Sequence, residues 1–493
     1  MLGMVSGASA TMDASPARPN IVLILTDDED LQAHTVMAKT HRLIGEAGAV
    51  FDNYFVTYPF CCPSRATTLR GQYGHNHLIT GNIQPSGGAE KFRMMGHEAS
   101  TIATWLDDAG YHTAFFGKYM NGYRPAKHGV PEGWDDWYAG SSMAHPSYNY
   151  VLNENGRLVE YGSEPLDYLT DVLARKANQV IRAAAGSGTP FFLYVAPFTP
   201  HSPATPAPRH EHMFTDTEMP RSPSFNEADV SDKPGIIRDL LQIEPDEIAQ
   251  IEETYRKRLR SMLAIDDLVE GIVNTLEETG ELDNTYIVYT SDNGYHLGTH
   301  RMIAGKTTPY EEDIAVPFVI RGPGVPAGVQ IDVLVVNNDL APSFAAMAGI
   351  EPPAFVDGRS FLPLFSEPDQ PWRQVFAIER RALENHQLAG AAYYNGLRTA
   401  NLTYVEYGSG ERELYDHASD PYQLGNLAGE APSDILEALS QRLAQLVQCA
   451  GSECRRLEDL PVDHTWTPPA PVAELPVLPA VPLVPEKDEK QLN

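Results

Sequence analysis

The chain has 493 residues, 42% of them apolar and 21% charged. That is enough apolar character for a sizeable core and too much for wholesale disorder. Acidic side chains outnumber basic ones 66 to 36, a formal charge of −30. Such a field repels nucleic acid and anionic membrane, leaving only a local basic pocket to capture a small anion. No stretch approaches the roughly 18 apolar residues that span a bilayer. At roughly 100–200 residues per domain, the length suits one large α/β domain plus a smaller unit.

Residues 1–18 carry no apolar signal-peptide core. Ala8-Ser9-Ala10 resembles a cleavage site but has only seven mixed residues before it, so localisation stays open between a trimmed leader and retention inside the cell. The first strong element is Asn20–Thr26, a continuous apolar run ending in Asp27-Asp28-Glu29-Asp30, as expected of a strand buried on both faces. Similar runs occur at 113–116, 191–196, 285–290 and 316–320. Between them, residues 100–109 predict a helix closed by Gly110, 171–185 a second, and 247–278 a long third. The third sets Leu259, Met262, Ile265, Val269, Ile272, Val273 and Leu276 on one face. Strands alternating with helices predict a large, mostly parallel central sheet covered on both faces. In such sheets ligands bind beyond the strand carboxyl ends. Residues 200–235, rich in Pro, Ser and Asp, predict a long excursion over that end.

After about residue 370 the pattern changes. Short runs at 375–378, 391–394 and 402–405 predict an antiparallel meander, followed by an amphipathic helix over 434–447. The domain expectation is therefore a catalytic unit over 19–368 and a smaller α+β unit over 369–460. A Pro-rich tail over 461–493 is expected to wrap the surface or stay disordered. Of four cysteines, Cys449 and Cys454 suit a small loop-closing disulfide. That pairing points to an oxidising compartment, periplasmic or secreted. The alternative, a mononuclear metal site, has no His or Cys close by in sequence.

The most informative stretch is Cys61-Cys62-Pro63-Ser64-Arg65, continuing to Leu69, Arg70 and Gly71. Pro63 suits the first turn of a helix, whose free amides and dipole make an anion site beside Cys61. Taken alone, the stretch reads more readily as two buried structural cysteines beside a turn. Its spacing, however, resembles the signature of the type I sulfatases, in which a cysteine is oxidised to Cα-formylglycine by a dedicated generating enzyme. Only Cys61 has Pro at +2 and Arg at +4, so the resemblance assigns the modification to Cys61. Arg70 departs from the Thr usual in the family, which bears on the supporting turn.

The rest of the family pattern occurs in order across residues 19–455. Asp27-Asp28 and Asp292-Asn293 close two strands, and oxygen donors there suit a hard cation; the resemblance implies Ca2+, with Mg2+ as the alternative. Lys118 in Gly117-Lys118-Tyr119, His201 in Thr199-Pro200-His201 and Lys306 in Gly305-Lys306-Thr307 are similar to sulfate- and substrate-binding positions. The family often carries a His two residues after the first lysine; here that residue is Met120. His75, His77 and His296 are the candidates to replace it. Cys-Cys-Pro-Ser-Arg with the later Gly74-His75-Asn76-His77 and Gly117-Lys118-Tyr119-Met120-Asn121 looks most like the N-acetylglucosamine-6-sulfatase and arylsulfatase branch.

The resemblance implies an alkaline-phosphatase-like α/β fold and hydrolysis of a small sulfate ester, aryl or carbohydrate. One hydroxyl of a hydrated aldehyde at residue 61 would attack sulfur. Arg65 and Lys118 would hold its oxygens, and His201 would protonate the departing alcohol while Lys306 stabilises it. Two alternatives are a phosphodiester or phosphonate monoester hydrolase on the same fold, and an unmodified sulfated-glycan binding protein. The oligomeric state has no signature in the sequence.

Overall fold

Ile21, Leu23 and Leu25 of the first strand face one apolar cluster, and Val22 and Ile24 face another. This strand is therefore buried on both sides, and the molecule is built outward from it. In the computed structural model, described for residues 18–141, 146–381 and 393–462, the strands in chain order are as follows. They begin with β1 (Asn20–Thr26), β2 (Ala49–Phe51), β3 (Tyr54–Phe55), β4 (His112–Gly117), β5 (Asp136–Gly140), β6 (Tyr150–Glu154), β7 (Arg157–Tyr161) and β8 (Phe191–Ala196). They continue with β9 (Thr285–Ser291), β10 (Phe318–Arg321), β11 (Val329–Ile331), β12 (Val335–Val336), β13 (Val375–Arg380), β14 (Tyr394–Thr399), β15 (Leu402–Tyr407) and β16 (Arg412–Asp416).

Ten of them form one sheet in the order β11-β2-β10-β9-β1-β8-β4-β5-β6-β7. The run β9-β1-β8-β4-β5 is parallel, so these strands end together at one edge. The apolar run at 316–320 enters the sheet as β10, antiparallel to β9. The segment 292–317 between those strands contains one short helix, Glu311–Ile314, and no helix that carries the chain back over a sheet face for a parallel return. Strands β5, β6 and β7 extend the other side; β6 and β7 pair antiparallel, and the sequence pattern did not disclose them.

The helices predicted from periodicity span Ile102–Asp108, Leu169–Ser187 and Pro245–Glu278. Gly110 follows the first with φ of +80°, the left-handed geometry that stops a helix. All seven apolar residues read on the long helix lie in the cluster beneath one sheet face. The helices Ile102–Asp108 and Leu340–Met347 cover the other face.

The C-terminal strands β13-β14-β15-β16 form an antiparallel meander in sequence order. Residues 391–392 of the run read at 391–394 lie outside the described residues, and β14 begins at Tyr394. Helix Ser433–Leu446 packs on this sheet through Ile435, Leu439, Leu443 and Leu446. A disulfide joins Cys449 to Cys454 at the start of helix Ser452–Glu458. Apart from Arg18, Pro461 and Val462, the N-terminal leader and Pro-rich tail lie outside the described residues.

The C-terminal unit is tied to the large sheet by a buried ionic network. The Arg373 guanidinium donates to both Asp339 carboxylate oxygens, at 2.6 and 2.8 Å, and through Nε to Glu458 at 2.9 Å. Glu458 also accepts from the Tyr73 hydroxyl. Removing the cation takes the guanidinium from the buried Asp339 and leaves Glu458 with Arg359, at 3.1 Å, and Tyr73, and breaking a buried pair in this way costs more than the pair itself contributes. Arg373→Ala is expected to lose about 3–5 kcal/mol of stability, read as a lower urea midpoint, with Arg373→Lys falling between the two.

Candidate active site

Because β9, β1, β8 and β4 run parallel, the residues following them meet at one edge of the sheet. β1 delivers Asp27 and Asp28, β9 delivers Asp292 and Asn293, β4 delivers Lys118, and the loop after β8 delivers His201. Asp28 has φ of +68°, a left-handed conformation that Asp tolerates better than most side chains. Its own amide donates to Asp292 Oδ1 at 3.1 Å, which ties the two strand ends together.

Cys61 is the first residue of helix Cys61–Arg70, whose ten residues are all buried. Its N-terminus points at the carboxyl edge of the sheet. Gly71 closes the helix at φ of +66°, where a Cβ would press on Val356 at 2.8 Å. Cys61 Sγ lies 3.7 Å from Asp27 Oδ1, 4.0 Å from Asp28 Oδ1 and 2.7 Å from Lys306 Nζ. Cys62 points the other way, with its Sγ 3.4 Å from Met120 Sδ among apolar residues. The two adjacent cysteines thus occupy different environments, and only Cys61 faces the polar cluster.

The cluster alternates charges. Lys118 Nζ donates to Asp27 at 2.5 Å, and Lys306 Nζ donates to Asp28. Arg65 donates through Nε to Asp292 at 2.8 Å and through Nη1 to the Lys118 carbonyl at 2.6 Å. Burial alone would drive the Asp27 carboxyl upward, but Lys118, His201, Arg65 and Lys306 together hold it well below the ordinary carboxylate range. Burial would likewise depress Lys306, and Asp28 and its neighbours raise it well above normal instead. Cys61 has no such rescue: burial pushes its thiol up to about 12, against the pull of Lys118 and Lys306. As a thiol it stays protonated near neutral pH and is a poor nucleophile.

His201 is one-fifth exposed at the edge of the cluster. Its Nδ1 donates to the Ser202 carbonyl at 2.8 Å, which fixes the tautomer and leaves Nε2 facing Asp28 Oδ2 at 3.6 Å.

Among the described residues, two buried polar atoms in the cluster have no hydrogen-bond partner: Asn293 Oδ1, an acceptor, and Arg65 Nη2, a donor. Ligand atoms of Asp27, Asp28, Cys61 and His201 lie within 4.8 Å of one another. Asn293 stands beside them, its Nδ2 donating to Asp28 Oδ1 at 2.8 Å. Carboxylate and amide oxygens with one acceptor unused fit a hard divalent cation, and the unused guanidinium donor fits an anion oxygen.

The histidines read as substitutes for Met120 go to different places. Helix Cys61–Arg70 is about 15 Å long, so residues that follow it are carried away from Cys61. His77 is buried against Thr67 Oγ1 at 3.0 Å, and His75 is held by Glu379 and the Cys449 carbonyl, each at 2.9 Å. Neither joins the cluster. His296 does lie alongside it: its Nδ1 pairs with Asp313 at 2.9 Å, and its Nε2 lies where a Cβ on Gly305 would contact it.

One supporting residue had no sequence signal. Arg258, buried on the long helix, donates to the Asp28 carbonyl at 2.5 Å and to the Pro200 carbonyl at 3.4 Å. Its guanidinium also covers the Tyr295 ring at 4.3 Å. It thereby links the segments that carry Asp28, His201 and Asn293. Within Arg256-Lys257-Arg258-Leu259-Arg260, nothing local distinguishes the buried cation from its solvated neighbours.

Residues 19–350 match the family described as Sulfatase, and residues 298–449 match the one described as N-sulphoglucosamine sulphohydrolase, C-terminal. The chain is 36% identical to human (Homo sapiens) N-acetylglucosamine-6-sulfatase over 90% of this chain and 87% of the relative. It is 35% identical to an arylsulfatase of Volvox carteri over 92% of this chain and 78% of that protein. Among solved structures, BT4656 in complex with its substrate D-Glucosamine-2-N, 6-O-disulfate superposes with a TM-score of 0.74 and 26% identity, covering 87% of this chain and 97% of that one. A phosphonate monoester hydrolase from Silicibacter pomeroyi, at 22% identity and TM-score 0.70 over 87% of this chain and 94% of that one, shares the fold. A parallel sheet with these residues at its carboxyl edge and a family match over two-thirds of the length lead to one conclusion: the chain belongs to the sulfatase family of sulfuric ester hydrolases.

Proposed function

We propose that the protein hydrolyses an aryl or carbohydrate sulfate ester, N-acetylglucosamine 6-sulfate being one candidate, after Cys61 is converted to Cα-formylglycine by a formylglycine-generating enzyme. The observation that carries this reading is the placement of Cys61 Sγ at a helix N-terminus between two carboxylates and Lys306. Asp27, Asp28, Asp292 and Asn293 would hold a Ca2+ or Mg2+ ion; that ion supplies Lewis acidity, and the hydrated aldehyde a geminal diol.

The chain's own groups supply the rest. Arg65 Nη2 and Lys118 Nζ donate to oxygens of residue 61 and of the sulfate, and both are already fixed by Asp292 and Asp27. Lys306, beside residue 61, neutralises charge on the sulfate and on the oxygen that departs with the alcohol. With protons on both ring nitrogens, His201 gives the one on Nε2 to that oxygen and keeps the one on Nδ1, which is held by the Ser202 carbonyl. The second hydroxyl of residue 61 would lose its proton to water as the carbon–oxygen bond to sulfate breaks, which releases sulfate and returns the aldehyde. Neither a thiol nor a serine has a second hydroxyl, so an unmodified Cys61 cannot complete the cycle in this way.

The tryptic peptide Leu43–Arg65, from protein made alongside a formylglycine-generating enzyme, is expected to carry an aldehyde at Cys61 and a thiol at Cys62. Two intact thiols in fully active protein would refute the nucleophile. His201→Ala is expected to slow turnover roughly a hundredfold for sugar sulfates and much less for 4-nitrophenyl sulfate, whose leaving group needs little protonation. Equal losses would remove His201 from that role. Chelation is expected to abolish turnover, with recovery on adding Ca2+ and weaker recovery with Mg2+; undiminished activity in chelator would argue against the ion.

A further inference from the structure

Cys449 and Cys454 have no His close by in sequence, but the fold brings one: His75, 374 positions before Cys449. Among the described residues, two groups of His, Cys and acidic side chains lie close enough to hold one ion. One surrounds Cys61. The other is His75, Cys449 and Cys454, whose ligand atoms lie within 4.8 Å of one another. All three side chains are buried, where the segment after helix Cys61–Arg70 meets the C-terminal unit. His75 is fixed without help from either sulfur. Its Nδ1 donates to Glu379 Oε1 at 2.9 Å, its amide donates to Glu379 Oε2 at 3.1 Å, and its ring stacks on Tyr73. Its Nε2 faces the cysteine loop and donates to the Cys449 carbonyl at 2.9 Å. Asn76 donates to the same carbonyl at 3.0 Å and to Asp357 Oδ2 at 2.8 Å, and Asp357 Oδ1 accepts the Gly451 amide at 2.6 Å. The cysteine loop is thus docked beside His75 by contacts that do not depend on the S–S bond.

We propose that, once this disulfide is reduced, Cys449, Cys454 and His75 bind one Zn2+ ion, which replaces the S–S bond as the staple of the C-terminal loop. In the reduction a dithiol gives two electrons and two protons to the S–S bond and closes its own disulfide. Zn2+ then displaces the two thiol protons and the Nε2 proton of His75. Two thiolates and an imidazole favour Zn2+ over the hard cation that suits the carboxylates near Cys61. The four residues between the cysteines lie within the spacing common for zinc ligands. Around an ion bound at about 2.3 Å the two sulfurs sit about 4 Å apart, a separation that rotation of the cysteine side chains supplies. Glu379 keeps the Nδ1 proton, so it orients the ring and raises the basicity of Nε2. Water takes the fourth position. The loop is then stapled in a reducing compartment as well as in an oxidising one.

Co2+, a spectroscopic stand-in for Zn2+, tests this in full-length Cys61→Ala protein, which lacks the thiol of the other group, with Ca2+ in excess. Half the sample is first reduced with a phosphine, itself converted to its oxide, and desalted. The reduced protein is expected to give a thiolate-to-cobalt absorption band that saturates at one ion per chain and is bleached by Zn2+. The oxidised protein should give none. Glu379→Gln should keep the band and weaken binding about tenfold or more, and His75→Ala should weaken it further. Zn2+ should raise the Tm of the reduced protein and leave that of the oxidised protein unchanged. No band after reduction, an equal band in the oxidised protein, or His75→Ala binding that matches the parent would overturn the inference. The comparison of reduced with oxidised protein needs no change at His75 or Glu379. If His75→Ala does not fold, proton release decides: about three protons per Zn2+ at pH 6 supports the site, and two removes His75 from it.

Discussion

Three carboxylates, Asp27, Asp28 and Asp292, are buried within one small volume, and no fold can bring them together unless cations stand between them. Lys118, Lys306 and Arg65 meet that requirement, each placed against a different carboxylate. The rest of the molecule serves this arrangement. Parallel strands bring the carboxylates to a common edge, a fully buried helix aims its N-terminus at them, and Arg258 fixes the backbone of the loops that carry them. The same constraint accounts for the chemistry. A site with alternating fixed charges needs little reorganisation when a sulfate oxygen or a cation enters it.

Much of this was legible in the sequence because the chemistry sits where strands end. Asn20–Thr26 and Thr285–Ser291 are apolar runs that stop abruptly at acidic residues, and a doubly buried strand leaves no other reading. Cys61 was legible through the register of Pro63 and Arg65. The long helix announced itself through its apolar face. What stayed hidden lacks a local signature. β7 is the edge strand and β6 its neighbour, and both carry mixed, partly exposed residues, so alternation is weak.

The histidines show the limit from the opposite direction. His75 and His77 lie close to Cys61 in sequence, yet an intervening helix of ten residues separates them in space. His296, more than two hundred positions away, is the one that comes near. Met120 packs on Cys62, so that side of the cysteine pair is apolar.

The depth of Cys61 bears on the order of events in making the protein. Its side chain is 1% exposed, and it begins a helix buried along its whole length. No separate enzyme can grip such a backbone once the sheet and the C-terminal meander have closed over it. Under the proposed function, conversion of residue 61 would therefore have to precede folding, on a nascent or still-extended chain. On that reading a molecule that folds first keeps its thiol, and the competent fraction would be set during biosynthesis.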